Sequence, residues 1–295
     1  MTNMWNFLRK YKVIVKQWQA GNSICFHSVS PHAADLRHTH SVTFQSLKEH
    51  IVKVGMIREF IPATTDRFIV ANSKVAITFD DAYRDILDEA IPYLISKKIP
   101  ATIFINSSTL AGGILWRDKL RLILDANLGK EFCTALPEGY DIRPDDLYFK
   151  SKSPELNSAK VSAYIDSFVR QKGLGLKERL YLNARELSQL NGEESITLGN
   201  HTRNHYVLSS LSVEEQLEEI VGGLRDLEEY GLDVSNIFAA PFGGYSTINK
   251  SSLNILEDTG YKGLLLTNGN EKINLQKVDK PSKLIVANRY LPSNS

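Results

Sequence analysis

The sequence predicts an α/β fold in which parallel strands close into a distorted (β/α) barrel, and three observations carry that prediction. Short apolar runs rich in β-branched and aromatic residues alternate with helical patterns over nearly the whole chain. At 295 residues and 42% hydrophobic composition, the chain can bury a large core as one barrel-sized domain or two ordinary ones. Several of the apolar runs also stop abruptly at residues able to do chemistry, and parallel barrels gather their strand ends at one mouth.

Taken in order, Ser23-Ile24-Cys25-Phe26 reads as the first strand, with His27 directly after it and then a loop holding Pro31, His32, Asp35, His38 and His40. Thr43 opens a helix in which Phe44, Leu47, Ile51 and Val54 recur at spacings of three and four, with Gly55 as its stop. Val75-Ala76-Ile77-Thr78-Phe79 is a buried strand that ends in Asp80-Asp81. Pro92 marks the neighbourhood of a helix start, and Ala101 to Ile105 after Pro100 is the next strand. Strand, helix and strand at this separation make a parallel βαβ unit.

From about 116 to 190 the character changes. Helical patterns at Leu120 to Leu128 and Ala163 to Val169 flank a polar stretch from Pro137 to Pro154, which reads as a helical insertion or lid on a single domain spanning 1–295. The alternation then returns with Ser195 to Gly199, which runs into His201-Thr202-Arg203-Asn204-His205. Ser212 and Glu215 form a capping-box signature for a helix carrying Leu217, Ile220, Val221, Leu224 and Leu227 on one stripe. Ile237 to Ala240 ends in Pro241-Phe242-Gly243-Gly244, a helix through Leu253 and Leu256 stops at Gly260, and Lys262 to Thr267 is a further strand. The last apolar run, Leu284 to Ala287, ends at Asn288-Arg289.

A net charge of +1 leaves no electrostatic footprint for nucleic acid. The two cysteines, Cys25 and Cys133, lie far apart and suit a reducing compartment, with Cys25 read as a small core residue. Met1 to Ala20 mixes aromatic and basic residues without a signal-peptide core, and nothing in the chain is long enough to span a bilayer, so a cytoplasmic location is expected. A weak amphipathic contact of that segment with a membrane surface is the alternative.

Two adjacent carboxylates can serve one cavity only where a strand gives way to a loop, because neighbouring strand residues point to opposite faces. The bland reading of Asp80 and Asp81 is a helix cap beside a solvated acid. His201 and His205 share one side if their segment turns helically, and with a carboxylate they suit a divalent ion that keeps a position open for water. Two surface histidines in a turn are the alternative.

Together, Thr78-Phe79-Asp80-Asp81, His201-Thr202-Arg203-Asn204-His205 and Ala239-Ala240-Pro241-Phe242-Gly243 resemble, in that order, the motifs of polysaccharide deacetylases with the NodB homology domain, carbohydrate esterase family 4. The resemblance runs from about Ser23 to Ala287 and implies that family's distorted (β/α) barrel. It implies that Asp80 is the base, that Asp81, His201 and His205 hold a divalent metal, most often zinc, and that the backbone N–H of Phe242 faces the oxyanion, with Pro241 beside the substrate. Two departures stand out. Many members begin the third motif with an arginine that orients the base, where this chain has Ala239; Arg289 is the candidate replacement. A late Leu-x-His motif that supplies the acid is absent, and Phe26-His27-Ser28-Val29 is similar to the element of a permuted branch, resembling exopolysaccharide N-deacetylases, that carries this histidine near the N-terminus. His27 is then the acid, and Trp116 is a candidate for stacking on the sugar. The implied substrate is an N-acetylated sugar of a bacterial surface glycan or its precursor. An O-acetyl esterase or non-sugar amidase with the same machinery, and a silent carbohydrate-binding relative, remain the other readings.

Overall fold

A computed structural model describes residues 23–30, 40–64, 73–176, 178–267 and 284–292. Seven parallel strands line up in it: β1 (Ser23–Phe26), β2 (Lys74–Phe79), β3 (Ala101–Ile105), β4 (Ile196–Asn200), β5 (Ile237–Ala239), β6 (Gly263–Leu266) and β7 (Ile285–Tyr290). Their order across the sheet is β4-β3-β2-β1-β7-β6-β5, so chain order is also spatial order. At the seam between β4 and β5, Leu198 bridges Val234 and the Ser235 N–H donates to the Leu198 carbonyl at 2.8 Å. The predicted barrel is therefore present and nearly closed. Its last strand runs further than the apolar run suggested, because Asn288 pairs with Leu266 on β6 and Arg289 with Ser23 on β1.

A period of two sorts every strand. Ile24 and Phe26 on β1, Ile77 and Phe79 on β2, and Ile103 and Ile105 on β3 join the core beneath the surrounding helices. The alternate residues face the barrel axis, where Ala76, Phe104, Ile237, Ala239, Leu265 and Ala287 form a second cluster. Phe104 fills this lumen, and Gly199 makes room for it: a Cβ there would stand 2.5 Å from the ring. The same alternation carries Cys25, Thr78 and Arg289 inward and aims the residues after each strand at one mouth.

Helix α1 (Phe44–Gly55) is capped by Thr43, whose hydroxyl accepts from the Ser46 N–H, as its sequence predicts. Helix α2 (Ala90–Ser96) packs Ile91 and Leu94 into the same outer core. Between β3 and β4, α3 (Trp116–Asp125), α4 (Gly129–Ala135) and α5 (Ser158–Gln171) share a core of their own that includes Leu120, Phe132 and Ile165. The next helix, α6 (Ala184–Asn191), places Leu187 and Leu190 in the barrel's outer core, so the separately cored layer ends before Ala184 rather than at 190. Ser212 and Glu215 form the expected capping box on α7 (Val213–Leu217), which runs through a π-helical turn (Glu218–Gly222) into α8 (Gly223–Glu229). The extra residue in that turn rotates the stripe, leaving Leu217 49% exposed while Gln216 and Glu219 are buried. Helix α9 (Lys250–Thr259) stops at Gly260, which takes a left-handed φ of 95°.

Among the described residues no helix is long and apolar enough to cross a membrane. The segment Met1 to Ala20 and the loop residues Pro31, His32, Asp35 and His38 lie outside the described residues.

Candidate active site

Backbone hydrogen bonds carry two motifs one residue past their strands: the Asp80 N–H donates to the Phe26 carbonyl and the His201 N–H to the Ile105 carbonyl, each at 2.9 Å. Both motifs open into a cavity of about 180 Å³ at the C-terminal mouth, lined also by His27, Phe242 and Thr267. Asp80 and Asp81 reach it together because the strand ends at Phe79 and the chain turns at Asp81; Asp81 and Ala82 have φ of 66° and 51°.

Asp80 is gripped by Arg289. The guanidinium donates from Nη1 to Oδ1 at 2.6 Å and from Nη2 to Oδ2 at 2.7 Å, a two-pronged pair in which both residues are buried. Arg289 also donates to the hydroxyls of Thr78 at 3.2 Å and Thr267 at 3.3 Å, which fix its plane. Burial alone would raise the Asp80 pKa, but the charges of Arg289 and His201 and the hydrogen bonds from Arg289 hold it well below the usual carboxylate range. Cys25 adds a thiol donor 3.3 Å from Asp80 Oδ2, and burial, first among the causes, pushes its own pKa well up, keeping it a thiol.

Asp81 has the opposite surroundings. Its buried Oδ1 has no hydrogen-bond partner among the described residues and stands 3.4 Å from His205 Nε2 and 3.7 Å from His201 Nε2. Burial, together with the like charges of Asp80 and Asp118, raises its pKa well above the ordinary value. His201 donates from Nδ1 to the Ala239 carbonyl at 2.7 Å, which leaves the Nε2 lone pair facing the carboxylates. Burial lowers the pKa of both histidines and keeps them neutral, the form in which imidazole ligates. A tetrahedral ion with bonds of about 2.1 Å sets its ligands roughly 3.4 Å apart, so this spacing and the orphaned oxygen fit a divalent metal held by Asp81, His201 and His205.

The two histidines do not lie on a helical turn. Thr202 and His205 take left-handed φ of 70° and 59°, and this loop brings the rings to 5.0 Å between centroids. It is pinned from outside: the Trp116 indole N–H donates to the His205 carbonyl at 2.9 Å, and the Thr202 hydroxyl accepts from the His205 N–H at 3.0 Å. Phe242, also left-handed at 61°, lays its ring 4.7 Å from that of His205, and its N–H has no hydrogen-bond partner among the described residues. Gly243 follows at φ 63°, where a Cβ would meet the Thr267 nitrogen at 2.2 Å. Of the seven described non-glycine residues with positive φ, four lie in these three motifs and a fifth, Ala82, directly follows the first, so backbone strain of about 1–3 kcal/mol per residue is concentrated where the mouth is shaped.

His27 stands across the mouth. One of its ring nitrogens, Cys25 Sγ and an Asp80 oxygen lie within 4.8 Å of one another, and its ring is 5.2 Å from that of His40. Burial, with help from His40, Arg289 and His201 against the pull of Asp80, lowers the His27 pKa to about 3. Behind the mouth, Asp118 is buried and accepts from the Tyr83 hydroxyl at 2.9 Å and from the Tyr181 hydroxyl. Burial outweighs both hydrogen bonds and the nearby Arg117, raising the Asp118 pKa to about 6. A carboxyl with a raised folded pKa stabilises most below its unfolded pKa of about 4 and loses that contribution as pH rises through 6. Thermal melts should therefore show wild type losing up to about 3 kcal/mol relative to Asp118→Asn between pH 4 and 7; parallel pH curves would remove Asp118 from this role.

The sequence profile of the polysaccharide deacetylases matches residues 70–128 and 159–264, more than half of the chain. The chain belongs to the polysaccharide deacetylase family. Among solved structures it is similar to the Streptococcus pyogenes deacetylase PplD in complex with acetate, at 16% identity and a TM-score of 0.55 over 92% of each chain. IcaB from Ammonifex degensii follows at 14% identity and a TM-score of 0.56 over 92% of this chain and 91% of that one. A de-N-acetylase from Aggregatibacter actinomycetemcomitans gives 12%, 0.56, and coverage of 91% and 93%. At these identities the likeness is one of fold. A search of curated proteins returns no match.

As a member of this family, the chain brings Asp80, Asp81, His201, His205, His27 and Phe242 to one cavity, with Arg289 buried behind Asp80. Two expected residues lie elsewhere. Trp116 is 1% exposed and supports the His205 loop instead of facing the sugar, because its indole N–H satisfies a buried carbonyl. Pro241 is buried outside the cavity lining, its carbonyl accepting from the Thr247 hydroxyl at 3.3 Å. Sequence reading missed Thr78, Thr267 and the thiol of Cys25 as partners of the Asp80–Arg289 pair. A period of two along β2 already places Thr78 on the same face as Asp80, whereas Thr267 carries no such signal.

Proposed function

We propose that the protein is a metal-dependent N-deacetylase that hydrolyses the acetamide of an N-acetylated sugar to acetate and a free amine. The observation that carries this reading is the division of labour between adjacent aspartates, Asp80 clamped by Arg289 and Asp81 left with an orphaned oxygen beside two neutral imidazoles. A divalent ion held by Asp81, His201 and His205, zinc in this reading, would supply a Lewis acid beside the acetyl carbonyl and lower the pKa of water there.

Asp80, kept ionised by Arg289, takes a proton from the attacking water as the new C–O bond forms. The Phe242 N–H donates to the oxyanion. His27 protonates the departing nitrogen as the C–N bond breaks. Its low pKa keeps it neutral in the free site, so the proton it passes to the nitrogen is the one Asp80 took from the water, handed on across the short gap between an Asp80 oxygen and a His27 ring nitrogen, which lie within 4.8 Å of one another. Phe149, 65% exposed at the cavity rim, offers the sugar the aromatic face that Trp116 does not.

Acetate release from N-acetylglucosamine oligomers and from O-acetylated sugars, with metal supplied and then chelated, tests the reading. Release from the N-acetyl substrates that stops on chelation is expected; release only from O-acetyl esters, or release indifferent to chelation, overturns it. His27→Gln should retain metal while kcat falls by about 10²–10³-fold. Unchanged turnover would take the acid role from His27.

A further inference from the structure

Five of the charged side chains at and behind the cavity are already accounted for. Asp80 pairs with Arg289, Asp118 lies 3.5 Å from Arg121, and Asp81 belongs to the metal ligands. Arg117 and Lys152 remain, both lining the cavity. The Arg117 guanidinium is 7% exposed and donates only to neutral oxygens, the Ser151 hydroxyl at 2.9 Å and the Tyr148 carbonyl at 2.7 Å, while lying over the Tyr148 ring at 3.9 Å. Lys152 is half-buried, with Nζ 5.6 Å from the ring centroids of both Phe149 and Phe242. Among the described residues neither cation has a carboxylate within 4 Å.

We propose that the N-acetylated sugar carries an anionic group, a phosphate or a carboxylate, which seats against Lys152 in the field of Arg117. This rests on the deacetylase reading above and adds the substrate's charge to it. Two neighbouring cations withdrawn from water are costly when Asp118 acts on Arg117 only from beyond 4 Å, and aromatic faces offset only part of that cost. Burial first, and then the charge of Arg117, lowers the Lys152 pKa, in keeping with two cations placed close together. An idle lysine would extend its head into water, whereas this one lies over Phe242 in the cavity wall. The division between the two follows from their hydrogen bonds. Arg117 has spent N–H groups on its own loop and supplies a fixed field, while the Lys152 ammonium has no hydrogen-bond acceptor among the described residues and offers its donors to a ligand.

The position suits a substituent near the reacting acetamide. The Phe242 ring beneath Lys152 is the one that packs on the metal-ligand candidate His205, so the anion would sit beside the sugar being deacetylated. Both cations come from the layer between β3 and β4, outside the barrel, where substrate preference can vary without disturbing the strand-end chemistry.

Binding and turnover are tested separately. In calorimetry with the metal-loaded Asp80→Asn variant, N-acetylglucosamine 6-phosphate and N-acetylmuramic acid are compared with neutral methyl N-acetylglucosaminide. At least one anionic sugar should bind about tenfold tighter than the neutral one, the size of one half-buried charge-assisted contact. Lys152→Gln in the same background should abolish that preference, and added salt should weaken it. The stronger of the two anionic arms distinguishes phosphate from carboxylate. Equal binding of charged and neutral sugars, or a preference that survives Lys152→Gln, overturns the inference even if acetate is released. Anion preference without acetate release from any sugar by the unmodified protein instead overturns the deacetylase reading alone.

Discussion

Asp81→Asn is expected to abolish metal binding and acetate release together, with turnover down by about 10³-fold or more. Asn is the informative replacement because it tolerates the left-handed φ of 66° at this position, so the backbone of the mouth is kept. The variant should also behave in a way that simple damage would not produce. Without metal, the wild-type carboxylate is buried near Asp80 and Asp118, its pKa driven up by burial and by those like charges. Removing its charge should leave the metal-free protein as stable as wild type or more so. Added zinc at about 100 times its Kd should raise wild-type stability by roughly 2.7 kcal/mol and leave Asp81→Asn unmoved. Metal analysis and thermal melts with and without zinc decide this; a variant that still binds metal and turns over normally removes Asp81 from the ligand set.

Arg289→Met should be the most damaging single change to stability. It leaves the Asp80 carboxylate buried without its guanidinium, at a cost of about 3–5 kcal/mol. The pH dependence should change sign. In wild type the depressed pKa of Asp80 contributes stability above the unfolded value, and this is lost only as pH falls through the folded pKa, below the usual carboxylate range. Without Arg289, burial dominates and raises that pKa, so the variant should come closest to wild type in acid and fall away as pH climbs. Pairing Arg289→Met with Asp80→Asn should recover stability without activity. Denaturation curves across pH test this, and a flat difference between Arg289→Met and wild type would show that Asp80 is not held ionised by Arg289.

Much of the site was legible because it lies at strand ends. Each of Phe26-His27, Phe79-Asp80-Asp81 and Ala240-Pro241-Phe242 marks a point where apolar alternation stops, and a parallel barrel turns every such point toward the same mouth. Trp116 shows the limit of this logic. An aromatic residue at the start of a helix has the same sequence signature whether it faces a ligand or a buried carbonyl, and the His205 carbonyl claimed its indole N–H. The stripe through Leu217 failed for a different reason, since one π-helical turn shifts every later residue and leaves no mark in an apolar pattern.

By itself, the sequence determined the parallel α/β barrel, the strand-end residues and the placing of Asp80 and Asp81 where a strand gives way to a loop, because all three follow from local alternation. The sequence offered Arg289 as the arginine for Asp80, but only the tertiary structure decided that it reaches the carboxylate. Arg289 lies 209 positions away, and in register it sits beside Ser23 on β1, itself beside Ala76 on β2. Only closure of β7 against β1, with the stagger of a tilted barrel, brings the guanidinium up to the carboxylate. Ala239 occupies the place where the third motif often carries arginine and is absorbed into the lumen beside Phe104, so charge arriving from the last strand completes the pair.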